Sequence, residues 1–346
     1  MSPLLEVLSC GPSVTVQDLG RIGYRAQGLT RGGAADVLAI YEGAALLGQP
    51  AELAALEMVG MGGSFCANAD VRIALTGAPM TATLDDEPLT WNASHLMAAG
   101  AVLKIGGARN GTYGYLHVGG GLETPVMMGA RGAHLSAGLG KAIAQGDTLP
   151  IGKDRGSVTG MTLPVDARFD GGRIRVVSSM QTDQFDAPTR ARFEQTAFKR
   201  DARANRMGVR MDHDGEPFKA AGQLTIVSDV IVPGDIQIAG DGAPFVLMCE
   251  SQTTGGYPRI GTVLPCDMPR VAQAGAGTAL TFQFVDLDQA RAIELRDATA
   301  RNALRTAVTP LLRDPRDIRD LLSYQLISGA ISATNDPFTD EDTTCE

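Results

Sequence analysis

Short apolar runs, broken every few residues by Gly, Asp or Pro, dominate this chain, and helical spacing interrupts them in only a few places. Residues 4–8 read as a first strand. Val14-Thr15-Val16 is a short β segment that runs into Gln17-Asp18-Leu19-Gly20-Arg21. Over residues 34–47 the apolar positions recur at helical spacing, and Gly48 supplies a C-terminal stop. Strand-like runs follow at 55–59, 71–75, 81–84, 102–105 and 113–118, and Gly119-Gly120-Gly121 ends the series.

Residues 150–172 read as a linker. Lys153-Asp154-Arg155-Gly156-Ser157 is polar, and the next apolar element begins only at Ile174. The second half repeats the style of the first. Strands are predicted near 173–178, 206–211, 224–228, 245–249, 261–264 and 279–285, with one helix at 189–198. An amphipathic helix spans 287–304, and a further short one spans 317–327. Residues 335–346 are acidic and rich in small residues, the composition of a disordered tail. The pattern predicts a mainly β chain in three blocks: β domains at 1–150 and 173–305, then a C-terminal helix and acidic tail at 306–346. No exact internal repeat relates the two halves.

Composition narrows the partners. The 346 residues carry a net charge of −9 and no Lys/Arg run, so no nucleic-acid partner is expected. The 42 glycines are spread along the chain, which suits many short strands joined by tight turns. The five cysteines form no C-x-x-C pair and sit near no histidine at ligand spacing, so neither a metal site nor an oxidising compartment is expected. The first ten residues lack a basic start and a long apolar run, and no stretch reaches membrane-spanning length. The expectation is a cytoplasmic protein with no membrane partner. A phosphate loop, a G-x-G-x-x-G turn, H-E-x-x-H and G-x-S-x-G are all missing. So is Met-Lys-Met, the sequence that would attach biotin to this chain.

Four polar constellations remain. In the first, Asp18 and Arg21 stand three apart between glycines, beside Gln17. They suit either an oriented site for an amide or carboxylate, or an ion pair that fixes a loop. In the second, Gly32-Gly33 precedes the first helix, where exposed N–H groups either bind an anion or belong to a start capped near Asp36. In the third, Arg206, Gly208 and Arg210 alternate along a strand, as an anion clamp or as a solvated face. The fourth runs from Ser228 through Gln237 to Gln252-Thr253-Thr254-Gly255-Gly256-Tyr257-Pro258-Arg259. Consecutive glycines permit φ > 0 and close backbone approach. The stretch is either a tight hairpin corner or a site on a β scaffold, with Ser228, Gln237, Gln252 and Tyr257 brought together around one barrel rim.

Together these segments, with Leu56-Glu57, Thr76-Gly77-Ala78, residues 115–121 and Gly146-Asp147, stand in an order that resembles one family over residues 4–290. It is the allophanate hydrolase subunit 2 family, also called biotin-dependent carboxyltransferases or the C component of 5-oxoprolinase, and it includes KipA-like proteins. The resemblance implies cyclophilin-like β-barrels, two per chain, with a few helices. It implies work beside a homologous B component (KipI-like) and a LamB/YcsF-type protein, hydrolysing 5-oxoproline to glutamate at the expense of ATP. Alternatives within the family are carboxyl transfer from carboxybiotin to urea, and non-enzymatic antagonism of a kinase inhibitor. With no nucleotide loop visible, ATP is expected mainly on partner subunits. On this reading Arg206 and Arg210 contact an anion, and Gln252, Thr253 and Tyr257 orient a small-molecule amide. Ser228, Gln237, Gly255 and Gly256 complete that wall. Gln17, Asp18 and Arg21 line or brace the cleft, and no catalytic residue is singled out. Val209, where an aromatic is common, and Gly129-Ala130-Arg131-Gly132 depart from the family pattern.

Overall fold

The first helix, α1 (Val37–Leu47), starts where Asp36 accepts the Ala39 N–H at 3.2 Å, and it ends at Gly48 in the left-handed region (φ 63°). It is shorter than the apolar spacing predicts, because Ala34 and Ala35 lie ahead of the cap. The computed structural model describes residues 2–220 and 227–312. The helix predicted at 317–327, the tail at 335–346 and most of the strand predicted at 224–228 lie outside them.

Two sheets build the first half. A six-stranded sheet runs Thr148–Pro150, Leu4–Cys10, Gly63–Ala67, Val102–Ala108, Met80–Leu84, Glu87–Pro88. A seven-stranded sheet runs Thr15–Gln17, Ala55–Val59, Tyr113–Val118, Val71–Gly77, Ala93–Met97, Met161–Thr162, Thr309–Pro310. Leu5, Val7, Phe65 and Leu103 of the first join Leu56, Ile73, Leu75 and Leu116 of the second in one buried cluster. Val71–Gly77 is buried along its whole length, because α1 covers its other face. A strand covered on both faces loses the alternation of a half-exposed one, and V-R-I-A-L-T-G reads that way.

The second half closes into a barrel in the order Gly172–Val177, Arg259–Val263, Asp235–Ile238, Pro244–Leu247, Gly208–Asp212, Phe198–Arg200, Ala279–Phe284. Its seam is parallel: Gly172 to Val176 pair with Leu280 to Phe284. Closure leaves no free edge. Phe193 of α2 (Ala187–Gln195) stacks on Phe282 at 4.9 Å between ring centres, and Phe198 and Phe218 pack around them. This core does not stop at the barrel. It continues through Ala39 and Ile40 of α1 and through Tyr113 and Tyr115 of the first half. Short α3 (Met268–Gln273) and long α4 (Leu287–Ala307) flank it, the latter opened by a capping box at Asp286 and Gln289. Among the described residues no helix is long and apolar enough to cross a membrane.

Candidate functional site

Buried charge joins the halves where α1 begins. Arg206 donates from Nε to Glu250 Oε1 (2.6 Å), from Nη2 to the Gly33 carbonyl (2.6 Å) and from Nη1 to Glu57 Oε1. The other Glu57 oxygen accepts the Ala35 N–H (2.8 Å) and the Tyr115 hydroxyl (2.7 Å). The N-terminal end of α1 is therefore already met by an anion, the protein's own Glu57, and of the two readings of Gly32-Gly33 the structure shows the start capped by Asp36. Burial beside Glu57 and Asp36 pushes the Tyr115 phenol well above its usual range, so it stays protonated.

A second buried guanidinium, Arg168, comes from the polar stretch between the halves. It grips Glu42 through two bonds (2.8 and 2.7 Å) and Asp36 through Nε (2.8 Å), and it reaches Asp166 at 3.0 Å. Gln273 at the end of α3 donates to the same Asp36 (2.7 Å) and accepts the Thr112 and Tyr113 N–H groups. One cation serves three carboxylates, and burial pushes Glu42 up to about 7 against the pull of Arg168. Nothing local marks Arg168, since Asp36 and Glu42 lie more than a hundred residues away.

Around His134 the arrangement looks like a catalytic relay but is closed. Its Nε2 meets Thr30 Oγ1 at 2.9 Å and its Nδ1 meets Ser136 Oγ at 3.1 Å, with Glu250 Oε2 3.8 Å from Nδ1. Burial lowers the His134 pKa, so the ring is neutral. Thr30 is only 1% exposed and has no path to a substrate. Gln17, Asp18 and Arg21 brace the neighbouring loop. Gln17 donates to the Ala133 carbonyl (3.1 Å), Asp18 accepts the Arg131 N–H (2.6 Å), and Arg21 donates to the Gly132 carbonyl. Asp18 and Arg21 form no ion pair with each other.

The accessible site lies in the barrel half. A cavity of about 320 Å³ opens between Asp235–Ile238, Pro244–Leu247 and the segment that follows them. Met207, Ile231, Phe245 and Leu247 give apolar walls, and Gln252 and Tyr257 stand at the rim. Gln237 and Ser251 are 8% and 4% exposed, yet Gln237 Nε2 and Ser251 Oγ have no hydrogen-bond partner. Buried donors are almost always satisfied, so two beside one cavity mark a place for an acceptor. Gly255 serves close approach: a Cβ there would lie 2.5 Å from Gln237 Nε2, and its backbone is not left-handed. It pairs with Asp229 in a small two-stranded sheet, Asp229–Val230 against Thr254–Gly255.

Of the expected rim residues, Gln237, Gln252 and Tyr257 meet at this cavity, while Ser228 is exposed and outside it. Thr253 contributes its carbonyl to Ile231 N–H (3.0 Å) rather than a lining side chain, and Gly256 only links the short strand Thr254–Gly255 to Tyr257. The two-arginine clamp does not form. Arg206 is turned inward, and Arg210 is held by Asp212 (2.9 Å) and Asp241 (2.7 Å). Ser251 was missed because nothing in its spacing separates it from its polar neighbours.

The described residues offer no triphosphate cradle. The N-terminal end of α1 is filled, and Lys141 beside the glycines at 138 and 140 is paired with Asp147 (2.7 Å). A larger cavity of about 530 Å³ holds Lys153 and Arg155, but it lies at the C-terminal, negative end of α1, and its Arg72 is bound to Asp154.

Comparison with known proteins places these features. The family described as carboxyltransferase domain, subdomain A and B, matches residues 27–284. The C component of the 5-oxoprolinase of Escherichia coli is 34% identical over 293 residues, covering 83% of this chain and 93% of that protein. That of Haemophilus influenzae is 30% identical over 311 residues, covering 88% and 99%. The crystal structure of TTHA0988 superposes with a TM-score of 0.75 at 28% identity, covering 82% of this chain and 56% of that one. Kluyveromyces lactis urea carboxylase shares the fold at a TM-score of 0.78 and 22% identity, with this chain spanning 31% of its length. The chain belongs to the carboxyltransferase domain family, subdomains A and B, in the group that includes the C component of 5-oxoprolinase.

Proposed function

We propose that this protein is a subunit of an ATP-dependent amidohydrolase complex that opens 5-oxoproline to glutamate. The observation that carries the reading is the pair of unpartnered neutral donors, Gln237 Nε2 and Ser251 Oγ, beside an apolar cavity of about 320 Å³. A lactam presents the matching chemistry: one strong carbonyl acceptor on a compact, largely apolar ring. Amide resonance makes the ring resist water. Fixed donors aimed at the carbonyl oxygen stabilise the negative charge that grows there during attack. Near-complete coverage of two proteins named as 5-oxoprolinase subunits supports the substrate.

No ATP step is assigned to this chain, whose described residues do not fit a triphosphate. ATP is bound by partner subunits, a homologue of the B-component type and a LamB/YcsF-type protein. Biotin-dependent carboxyl transfer stays second: urea amidolyase of Saccharomyces cerevisiae is 22% identical, and this chain spans 17% of it. The test is reconstitution with those partners, measuring 5-oxoproline-dependent ATP hydrolysis. Turnover is expected; none with every subunit present would reject the reading.

A further inference from the structure

We infer that the cavity at Gln237 and Ser251 is half of a substrate site, completed by a cationic residue of a partner subunit at its open mouth. This rests on 5-oxoproline being the substrate. Its lactam is neutral, but its carboxylate is ionised at neutral pH. The cavity suits the first and not the second. Its lining contains no charged side chain.

Three arginines adjoin its lining residues in sequence or across a strand, and each is already held by two carboxylates. Arg206, next to Met207, holds Glu57 and Glu250. Arg210, cross-strand from Phe245, holds Asp212 and Asp241. Arg259, two residues past Tyr257, holds Asp229 and Asp235. Each of the three arginines faces two carboxylates of the protein, so none presents an unmatched positive charge to an incoming carboxylate. Freeing Arg206 or Arg259 would strand a buried anion of the protein itself, a larger penalty than a half-exposed ion pair returns, and Arg210, whose partners are half exposed, is not among the residues that line the cavity.

The missing charge therefore comes from outside the chain. Two residues that line the cavity are left exposed, Tyr257 at 42% and Met207 at 41%, and Val230, beside the lining residue Ile231, is 54% exposed. Tyr and Met are among the residues enriched at protein interfaces. A partner that covers this rim and presents a Lys or Arg pairs with the substrate's carboxylate and closes the cavity over the lactam. The site is thus assembled only in the complex, which accounts for one activity divided among subunits.

Ligand preference tests this directly. Calorimetric titration of the isolated chain with 5-oxoprolinamide and with 5-oxoproline is expected to show the neutral amide bound about tenfold more tightly. In the assembly with the partner subunits the preference reverses, by about tenfold or more in favour of the carboxylate. Met207→Lys, which places a cation at the mouth, raises the isolated chain's affinity for 5-oxoproline and not for the amide. An isolated chain that prefers 5-oxoproline, or binds neither ligand up to ~10 mM, overturns the inference. So does a catalytically active assembly that keeps the preference of the isolated chain. An assembly without turnover instead removes the substrate itself, so the two failures are distinguishable.

Discussion

Gln237 and Arg206 are both buried polar residues, and they face opposite consequences on removal. Gln237 Nε2 has no partner in the protein, so Gln237→Leu leaves no donor or acceptor stranded through that atom. The expected outcome is a loss of about 10- to 100-fold in kcat/KM of the reconstituted complex, the range set by one lost hydrogen bond, with Tm changed little. An equal loss with a collapsed Tm would show that Gln237 is structural. Arg206→Met strands two buried carboxylates, Glu57 and Glu250. It should cost about 3–5 kcal/mol in a denaturant titration, and a cost below about 1 kcal/mol would show that the ion pairs are not closed in solution. The sequence made Gln237, Gln252 and Tyr257 visible, because turn glycines and amide side chains cluster in one stretch. It misread Arg206, because alternation reports which side of a strand a residue takes and not which charges wait there. Arg168 was invisible for the related reason that its main partners are distant in the chain.

At the scale of elements, α1 is the informative one. Its Gly43 lies against the His117 ring, so close that a Cβ would come within 2.3 Å of it. Alanine would gain up to about 1 kcal/mol of helix propensity. Gly43→Ala should nevertheless destabilise, because overpacking a closed core costs about 1–3 kcal/mol. A variant at least as stable as the parent would show that His117 can move aside. The same helix carries Glu42, whose folded pKa of about 7 exceeds its ordinary value of 4.5. Between those values the folded state holds a proton that the unfolded state has released. This contribution to stability is therefore present below pH 4.5 and is lost as pH rises toward 7. Subtracting the Glu42→Gln stability curve from the parent curve should isolate it, with a slope of up to about 1.4 kcal/mol per pH unit. A flat difference would show that Glu42 titrates alike in the folded and unfolded states. Strands such as Ala55–Val59 and Tyr113–Val118 were legible because turn-forming residues punctuate their ends. The start of α1 was not, because Ala34 and Ala35 are good helix formers held ahead of the cap by Glu57 and Tyr115.

At the scale of the molecule, the two β halves share one hydrophobic core across α1, Tyr113 and Tyr115. Halves fused in this way should unfold together. The single tryptophan, Trp91, sits in the first half, so its fluorescence reports that half, while far-UV circular dichroism reports the whole. The two denaturation curves should coincide, and well-separated midpoints would show independent halves. The sequence separated two β-rich blocks by composition, yet the shared core was hidden. Its members are ordinary apolar residues whose neighbours only the closed fold supplies.

The parallel seam of the barrel also sets a schedule for synthesis. Gly172–Val177 leaves the ribosome early, but its hydrogen-bonded neighbours are Arg259–Val263 and Ala279–Phe284. At ~5–20 residues per second that strand waits several seconds for either partner. Closing so long a loop also makes the step slow relative to hairpins. During that interval both edges of Gly172–Val177 and the Phe193 ring, which later stacks on Phe282, stand open to other chains. A nascent-chain chaperone, or lowered temperature during expression, should therefore raise the soluble yield of this protein more than that of a β protein built from consecutive hairpins.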